Sequence, residues 1–98
     1  MANTAILVPS ARRGGLTPYV VHFRWDANPE PEVTGYKLYP TRVSGDYSNP
    51  STDMGNALTG TYEIPRPQGN GLWYFALTAY TATALQSAHS TEVSLIVT

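Results

Sequence analysis

The chain has no cysteine among its 98 residues, and charged side chains make up only 13% of it. Without cysteine the fold cannot depend on disulfides, and the usual structural zinc sites are excluded. The formal net charge is −1 at pH 7, which gives no general electrostatic reason to bind nucleic acid or an anionic membrane. We therefore expect no nucleic-acid partner and no membrane partner.

Long apolar runs are also missing. No run approaches the roughly 20 residues that span a bilayer. The short N-terminal run Ala5 to Val8 precedes the basic residues instead of following them, which does not match a secretory signal. We expect a single domain over residues 1–98, synthesised in the cytoplasm without a signal peptide. The alternative, a module cut from a longer secreted or surface protein, stays open.

The stretch "GLWYFALTAY" (71–80) alternates in side-chain character. A strand sends successive side chains to opposite faces, so Trp73, Phe75 and Leu77 share one parity. This parity is apolar and should face a core. The other parity is small or half-polar, and we expect it to face water or a partner. Aromatic and β-branched residues favour a strand here over a helix.

Short apolar runs separated by turn residues continue along the chain. Strands are predicted over residues 4–8, 19–25, 34–42, 57–65, 73–80 and 91–98, with short or irregular strands in 43–56. The first is expected to stop at Pro9, followed by a loop over 10–18. About seven strands with turns every 8 to 12 residues are typical of an antiparallel β-sandwich. The fold class is thus predicted to be all-β.

Five segments in order resemble a fibronectin type III domain, over residues 17–98, with residues 1–16 matching weakly. The segments are "VVHFRWDAN" (20–28), "VTGYKLY" (33–39), "TYEIP" (61–65), "WYFALTAYT" (73–81) and "QSAHSTEVSLIV" (86–97). The resemblance implies a seven-stranded, immunoglobulin-like sandwich of two antiparallel sheets. It also implies a structural core that includes Phe23, Trp25, Tyr36, Leu38, Tyr62, Trp73, Phe75 and Leu77.

Two residues depart from the family pattern. Trp73 stands where the family usually has a tyrosine that hydrogen-bonds back over a turn. An indole has one donor and no acceptor, so we expect this bond to be lost, redirected or replaced by packing. Pro40 removes a backbone donor, and we expect the third strand to end or bulge near it.

The sequence offers little catalytic chemistry. His22 and His89 are the only histidines, and neither has a nucleophile and an orienting acid in a recognisable motif. The acids Asp26, Glu30 and Glu32 share one loop but match no calcium-binding spacing. Arg12 and Arg13 beside two glycines could grip a phosphate or carboxylate, or simply be solvated. We predict no enzyme, no metal site and no cofactor.

The outward tyrosines indicate an interaction surface, because tyrosine offers contact area at low entropic cost. The family topology places two strands side by side in one sheet, and their outward residues are Lys37, Tyr39, Tyr74, Thr78 and Tyr80. We expect Tyr47 close by. Surface strand tyrosines without a partner are the competing interpretation.

The predicted function is therefore a non-enzymatic binding or structural module within a larger assembly. Stand-alone domains of this kind resemble small bacteriophage virion proteins, such as capsid decorations or tail accessories. Expected partners are other protein subunits, for example capsid or tail proteins, or a second copy. Carbohydrate stays open without support from the sequence. The alternative is a spacer or adhesion module excised from a multidomain secreted protein, such as a carbohydrate-active enzyme.

Overall fold

The computed structural model describes residues 8–12, 18–27 and 30–97. Every regular element in this part of the chain is a β-strand. The strands are β1 (Val8–Arg12), β2 (Tyr19–Arg24), β3 (Val33–Thr41), β4 (Thr52–Gly55), β5 (Thr59–Ile64), β6 (Gly71–Thr81) and β7 (Val93–Val97). The described residues contain no helix that could cross a membrane.

The strands form two antiparallel sheets. One sheet has the order β1-β2-β5, and the other has the order β4-β3-β6-β7. In the four-stranded sheet β3 and β6 pair over most of their length, with Leu38 opposite Leu77 and Tyr39 opposite Ala76. This pairing brings the outward residues of the two longest strands onto one surface.

The core lies between the sheets, as the alternation predicted. The rings of Phe23 in β2 and Phe75 in β6 lie 4.8 Å apart across the sandwich. The predicted core residues Phe23, Trp25, Tyr36, Leu38, Phe75 and Leu77 are buried, and Tyr62 and Trp73 are partly buried against them. Burial of each large apolar side chain contributes about 1.5–3 kcal/mol. The all-β class and the two-layer arrangement are thus confirmed.

The prediction that the first strand stops at Pro9 is wrong. β1 continues through Pro9 to Arg12, in a stretch that we predicted to be a loop. Among the described strands it lies at the edge of its sheet and pairs only with β2, with Pro9 opposite Phe23. An edge strand tolerates proline because one side of its backbone needs no partner. Residues 1–7, which hold most of the predicted strand, lie outside the described residues.

The third strand ends close to Pro40, as predicted, although the strand still includes Pro40. β3 runs through it to Thr41, with Pro40 opposite Phe75, and its irregularities fall earlier, between Val33 and Gly35 and between Tyr36 and Lys37. The neighbouring strand β4 pairs with β3 only as far as Leu38. At Pro40, β3 therefore has a partner on one side only, where a missing N–H can be accommodated.

Candidate functional site: the outer face of the four-stranded sheet

The segment between β6 and β7 defines one border of this face. It runs beside β6, where Ser87 N–H donates to the Ala79 carbonyl and Ser90 N–H to the Leu77 carbonyl, both at 2.8 Å. In return the amides of Ala79 and Leu77 donate to the hydroxyls of Ser87 and Ser90, both at 2.9 Å. Two serine hydroxyls thus take the role of backbone carbonyls, and the segment between β6 and β7 is fixed against the sheet.

The protein's own side chains cover the middle of the outer face. Ala76 and Thr78 point outward from β6, yet they are only 0% and 1% exposed. Tyr47 and His89 stack with ring centroids 4.2 Å apart, and Tyr39 packs edge-on 4.7 Å from His89. We call Tyr39, Tyr47 and His89 the aromatic cluster. The prediction that Thr78 is an exposed contact residue is wrong, because residues from outside β6 cover this part of the strand.

Hydrogen bonds hold the aromatic cluster in place. The Oε1 atom of Gln86 accepts from the Tyr39 hydroxyl at 2.6 Å and from the Thr78 hydroxyl at 2.9 Å. The Tyr47 hydroxyl donates to Glu92 at 2.6 Å. Partial burial of the His89 ring lowers its pKa, which favours the neutral imidazole in the stack.

Glu92 is the acceptor that ties the loop after β3 to the start of β7. Its carboxylate accepts from the Ser44 hydroxyl at 2.5 Å and from the Gly45 N–H at 2.9 Å, in addition to Tyr47. The bonds from Ser44 and Tyr47 chiefly, and that from Gly45, hold the pKa of Glu92 below its ordinary value. Burial and the bond to Glu92 raise the pKa of Tyr47 to about 12.

Tyr80 reaches across the sheet from β6 to the edge strand β4. A Cβ atom added at Gly35 would lie 2.3 Å from the Tyr80 hydroxyl, so the ring lies against the backbone of β3. Beyond it the hydroxyl donates to Asp53 in β4 at 2.8 Å, and the Lys37 ammonium lies 5.5 Å from the ring centroid. Bonds from the Gly55 N–H and from Tyr80 lower the pKa of Asp53. Tyr80 thus links three strands instead of standing free.

The opposite end of the outer face is apolar and uncovered. Leu72 in β6 and Ile96 in β7 are direct partners across the ladder, and they are 41% and 63% exposed. We call Leu72 and Ile96 the apolar end. Half-buried Tyr74 follows Leu72 on the same face of β6. Tyr74 is one of the predicted interaction residues, whereas Leu72 and Ile96 are not.

Trp73 makes a hydrogen bond back over the turn before β6, although a tryptophan stands where the family usually has a tyrosine. Its indole N–H donates to the Gly69 carbonyl at 2.8 Å. The bond requires only a donor on the ring, which indole supplies as well as a phenol does. The Arg42 guanidinium lies 4.8 Å from the centre of the Trp73 ring and donates to the Leu72 carbonyl at 2.9 Å.

The remaining candidates from the sequence do not assemble with these residues. His22 is exposed on β2, in the other sheet. No group of three or more histidine, cysteine, aspartate or glutamate side chains is placed to hold a metal in the described ranges. Arg12 belongs to β1, and Arg13 lies outside the described residues.

Sequence comparison alone does not assign this chain to a protein family. No protein-family profile matches it. A 49-residue stretch is 39% identical to part of autophagy-related protein 2 of Candida glabrata. That match covers 50% of this chain but 3% of the yeast protein, so the chain spans a small fraction of that relative's length.

The architecture defines an antiparallel β-sandwich of a three-stranded and a four-stranded sheet. Its likeness to a solved structure, a Fn3-like protein from Clostridium thermocellum, covers 98% of this chain and 96% of that one with a TM-score of 0.56. The two sequences are 17% identical, so the likeness concerns the fold. The chain thus has a fibronectin type III-like β-sandwich fold, as its sequence motifs indicated.

Proposed function

We propose that this domain is a non-enzymatic binding module that docks onto another protein subunit of a larger assembly through the apolar end. The observation that carries the proposal is the contact pair Leu72 and Ile96. These two apolar side chains face each other across neighbouring strands, and both remain substantially exposed. Adjacent exposed apolar residues mark interaction surfaces more often than isolated ones do.

The arrangement around the pair supports a rigid docking surface. Both residues belong to paired strands, so little backbone ordering accompanies contact. Half-buried Tyr74 adds a ring with few rotamers beside them. An apolar centre with a neighbouring tyrosine is typical of the buried core of protein interfaces.

The assembly that we propose is a bacteriophage virion, with the domain as a capsid decoration or a tail accessory protein. This step rests on the resemblance of small β-sandwich domains to such subunits, and fold alone does not fix function. The test is mass-spectrometric quantification of the chain in purified particles from its native source. Absence of the chain from the particles would remove the virion role and leave the docking surface to be tested on other complexes.

The docking surface is tested by Leu72→Thr combined with Ile96→Thr, which places a β-branched residue of high strand propensity at both positions. We expect incorporation into the native assembly to fall at least about tenfold, because both anchors lose apolar contact. The control is Leu85→Thr, at a leucine that is 66% exposed in the turn at the other end of β6. Equal incorporation of the double variant and the control would contradict the proposal.

A further inference from the structure

A second site lies at the opposite end of the outer face from Leu72. Between β4 and the turn after β6, the sheet borders a cavity of about 270 Å³. Its lining includes Lys37, Asp53, Tyr80, Ala82, Ala84 and Gln86. The volume is below the range of about 300–1,000 Å³ that is typical of drug-sized ligands. This volume suits a ligand the size of about one saturated ring.

Three lining side chains keep unused hydrogen-bonding capacity. The Lys37 ammonium contacts the Tyr80 ring and has no hydrogen bond or ion pair within residues 18–27 and 30–97. Asp53 accepts both of its bonds, from Gly55 and Tyr80, at Oδ1. Gln86 likewise accepts both of its bonds at Oε1, which leaves its amide NH₂ without a partner in the same part of the chain. The cavity therefore offers donors at two positions and one acceptor, at Asp53 Oδ2.

Hydrogen bonds hold two of these three groups, Asp53 and Gln86, in position before any ligand arrives. Tyr80 anchors Asp53, while Tyr39 and Thr78 anchor Gln86. Such preorganisation reduces the ordering cost of binding. The rim also carries backbone strain, because Ala84 has a φ of 67° although it is not a glycine. Residues in this sparsely populated region persist where the structure over-determines them, and they cluster at ligand-binding positions.

The charges of the cavity select the ligand chemistry. A ligand with one charge would be attracted by Lys37 or Asp53 and repelled by the other. A hydroxyl group both donates and accepts, so neighbouring hydroxyls on a ring satisfy an ammonium, an amide NH₂ and a carboxylate together. We propose that this cavity binds a neutral polyhydroxylated ring, that is, one monosaccharide unit of a glycan. Its hydroxyls accept from Lys37 and Gln86 and donate to Asp53.

The experiment is an NMR titration of the ¹⁵N-labelled full chain with the methyl glycosides of glucose, mannose and N-acetylglucosamine, each added separately. We expect saturable shifts of the Ala82, Ala84 and Gln86 amides with at least one glycoside. The dissociation constant should be on the order of 1–10 mM, as a single small ring at an open site allows. The Leu72 amide, at the far end of β6, should not shift.

Two nearly isosteric variants test the assigned contacts. Gln86→Glu keeps the acceptor for Tyr39 and Thr78 but removes the amide donor. Asp53→Asn keeps an acceptor for Tyr80 but places a donor where Oδ2 was. Each should weaken binding at least about fivefold, the scale of losing one directed hydrogen bond. The matched control is Glu63→Gln, which makes a carboxylate-to-amide change at an exposed residue of the other sheet.

Three results would overturn the proposal. The first is the absence of saturable shifts with all three glycosides. The second is binding of acetate or glycine at least as tightly as the best glycoside, since it would assign the cavity to an ion or a zwitterion. The third is unchanged sugar affinity in both variants when their spectra show an intact fold. None of these results bears on the apolar end, so the docking proposal is tested separately.

Discussion

At the scale of single residues, the structure shows which partner several side chains contact. The sequence alternation predicted only which face of the strand each of these side chains is on. Tyr80 was recognisable as an outward residue of β6. Its partner Asp53 is 27 positions away in the chain, in the least patterned segment. Gly35 resembles an ordinary strand glycine in the sequence, but it is the residue that lets the Tyr80 ring cross β3.

The pairing of Gly35 with Tyr80 predicts a non-additive double-mutant cycle. Gly35→Ala should destabilise the fold by about 1–3 kcal/mol, because the new Cβ would overlap the Tyr80 ring. In a Tyr80→Ala background the same change should cost much less, since the overlapping atoms are gone. Urea unfolding of the four proteins measures the coupling. Equal costs of Gly35→Ala in the two backgrounds would refute the assigned contact.

At the scale of elements, β6 organises the outer face because it has a partner along both sides. β3 pairs with it on one side, while β7 and the segment 86–90 follow its other side in succession. The sequence predicted β6 and β7 well because their alternation is local. It did not predict that Ser87 and Ser90 hydrogen-bond to the backbone of β6. Two serines show no alternating apolar pattern, and their hydroxyls here accept bonds that backbone carbonyls accept in a regular strand.

The hydrogen bonds of Ser87 and Ser90 predict unequal effects of three serine substitutions. Ser87→Ala and Ser90→Ala should each cost about 1–3 kcal/mol, because the backbone N–H of Ala79 or of Leu77, respectively, loses its hydroxyl acceptor. Ser94→Ala, at an exposed position in β7, should stay within about 0.5 kcal/mol of the parent protein. Denaturant midpoints and native-state amide exchange at Leu77 and Ala79 provide the measurement. A cost at Ser94 equal to that at Ser87 would contradict the assigned roles.

At the scale of the whole molecule, two sheets share one core, and loops distant in sequence meet on the outer face. Glu92 joins the loop after β3 to the start of β7 through three hydrogen bonds. Its ionised form is the one that accepts all three, so this tertiary link depends on pH. Stability should respond to acid through this carboxylate.

Glu92 predicts the direction of the acid dependence. Its pKa in the folded protein lies below the ordinary value of 4.5, so the stabilisation is present above pH 4.5 and is lost as pH falls through the folded pKa. Asp46 and Asp53, whose pKa values are also lowered, act in the same direction below their ordinary value of 3.8. Glu92→Gln should lower stability at pH 7 and flatten the fall below pH 4.5.

The control for this prediction is Glu63→Gln, at an exposed glutamate of β5 whose side chain makes no hydrogen bond in the described part of the chain. Denaturant midpoints between pH 3 and pH 7 should fall along the same curve for this variant and for the parent protein. A Glu92→Gln curve that parallels the parent's over this range would exclude the proposed contribution.

The sequence by itself determined the all-β class, most strand positions and the inward residues of the core. Side-chain alternation is a local property of an extended chain, and burial selects apolar residues at every second position. The sequence also indicated an aromatic outward surface. It could not say which parts of that surface stay exposed.

Only the tertiary structure decided that Thr78 is buried and that the Tyr80 hydroxyl donates to Asp53. It likewise decided that Leu72 and Ile96, which are partners on neighbouring strands, remain exposed to solvent. Each of these outcomes depends on where a loop or an edge strand from elsewhere in the chain comes to rest. Such contacts join residues far apart in sequence, and they arise from packing and hydrogen bonding that no local period encodes.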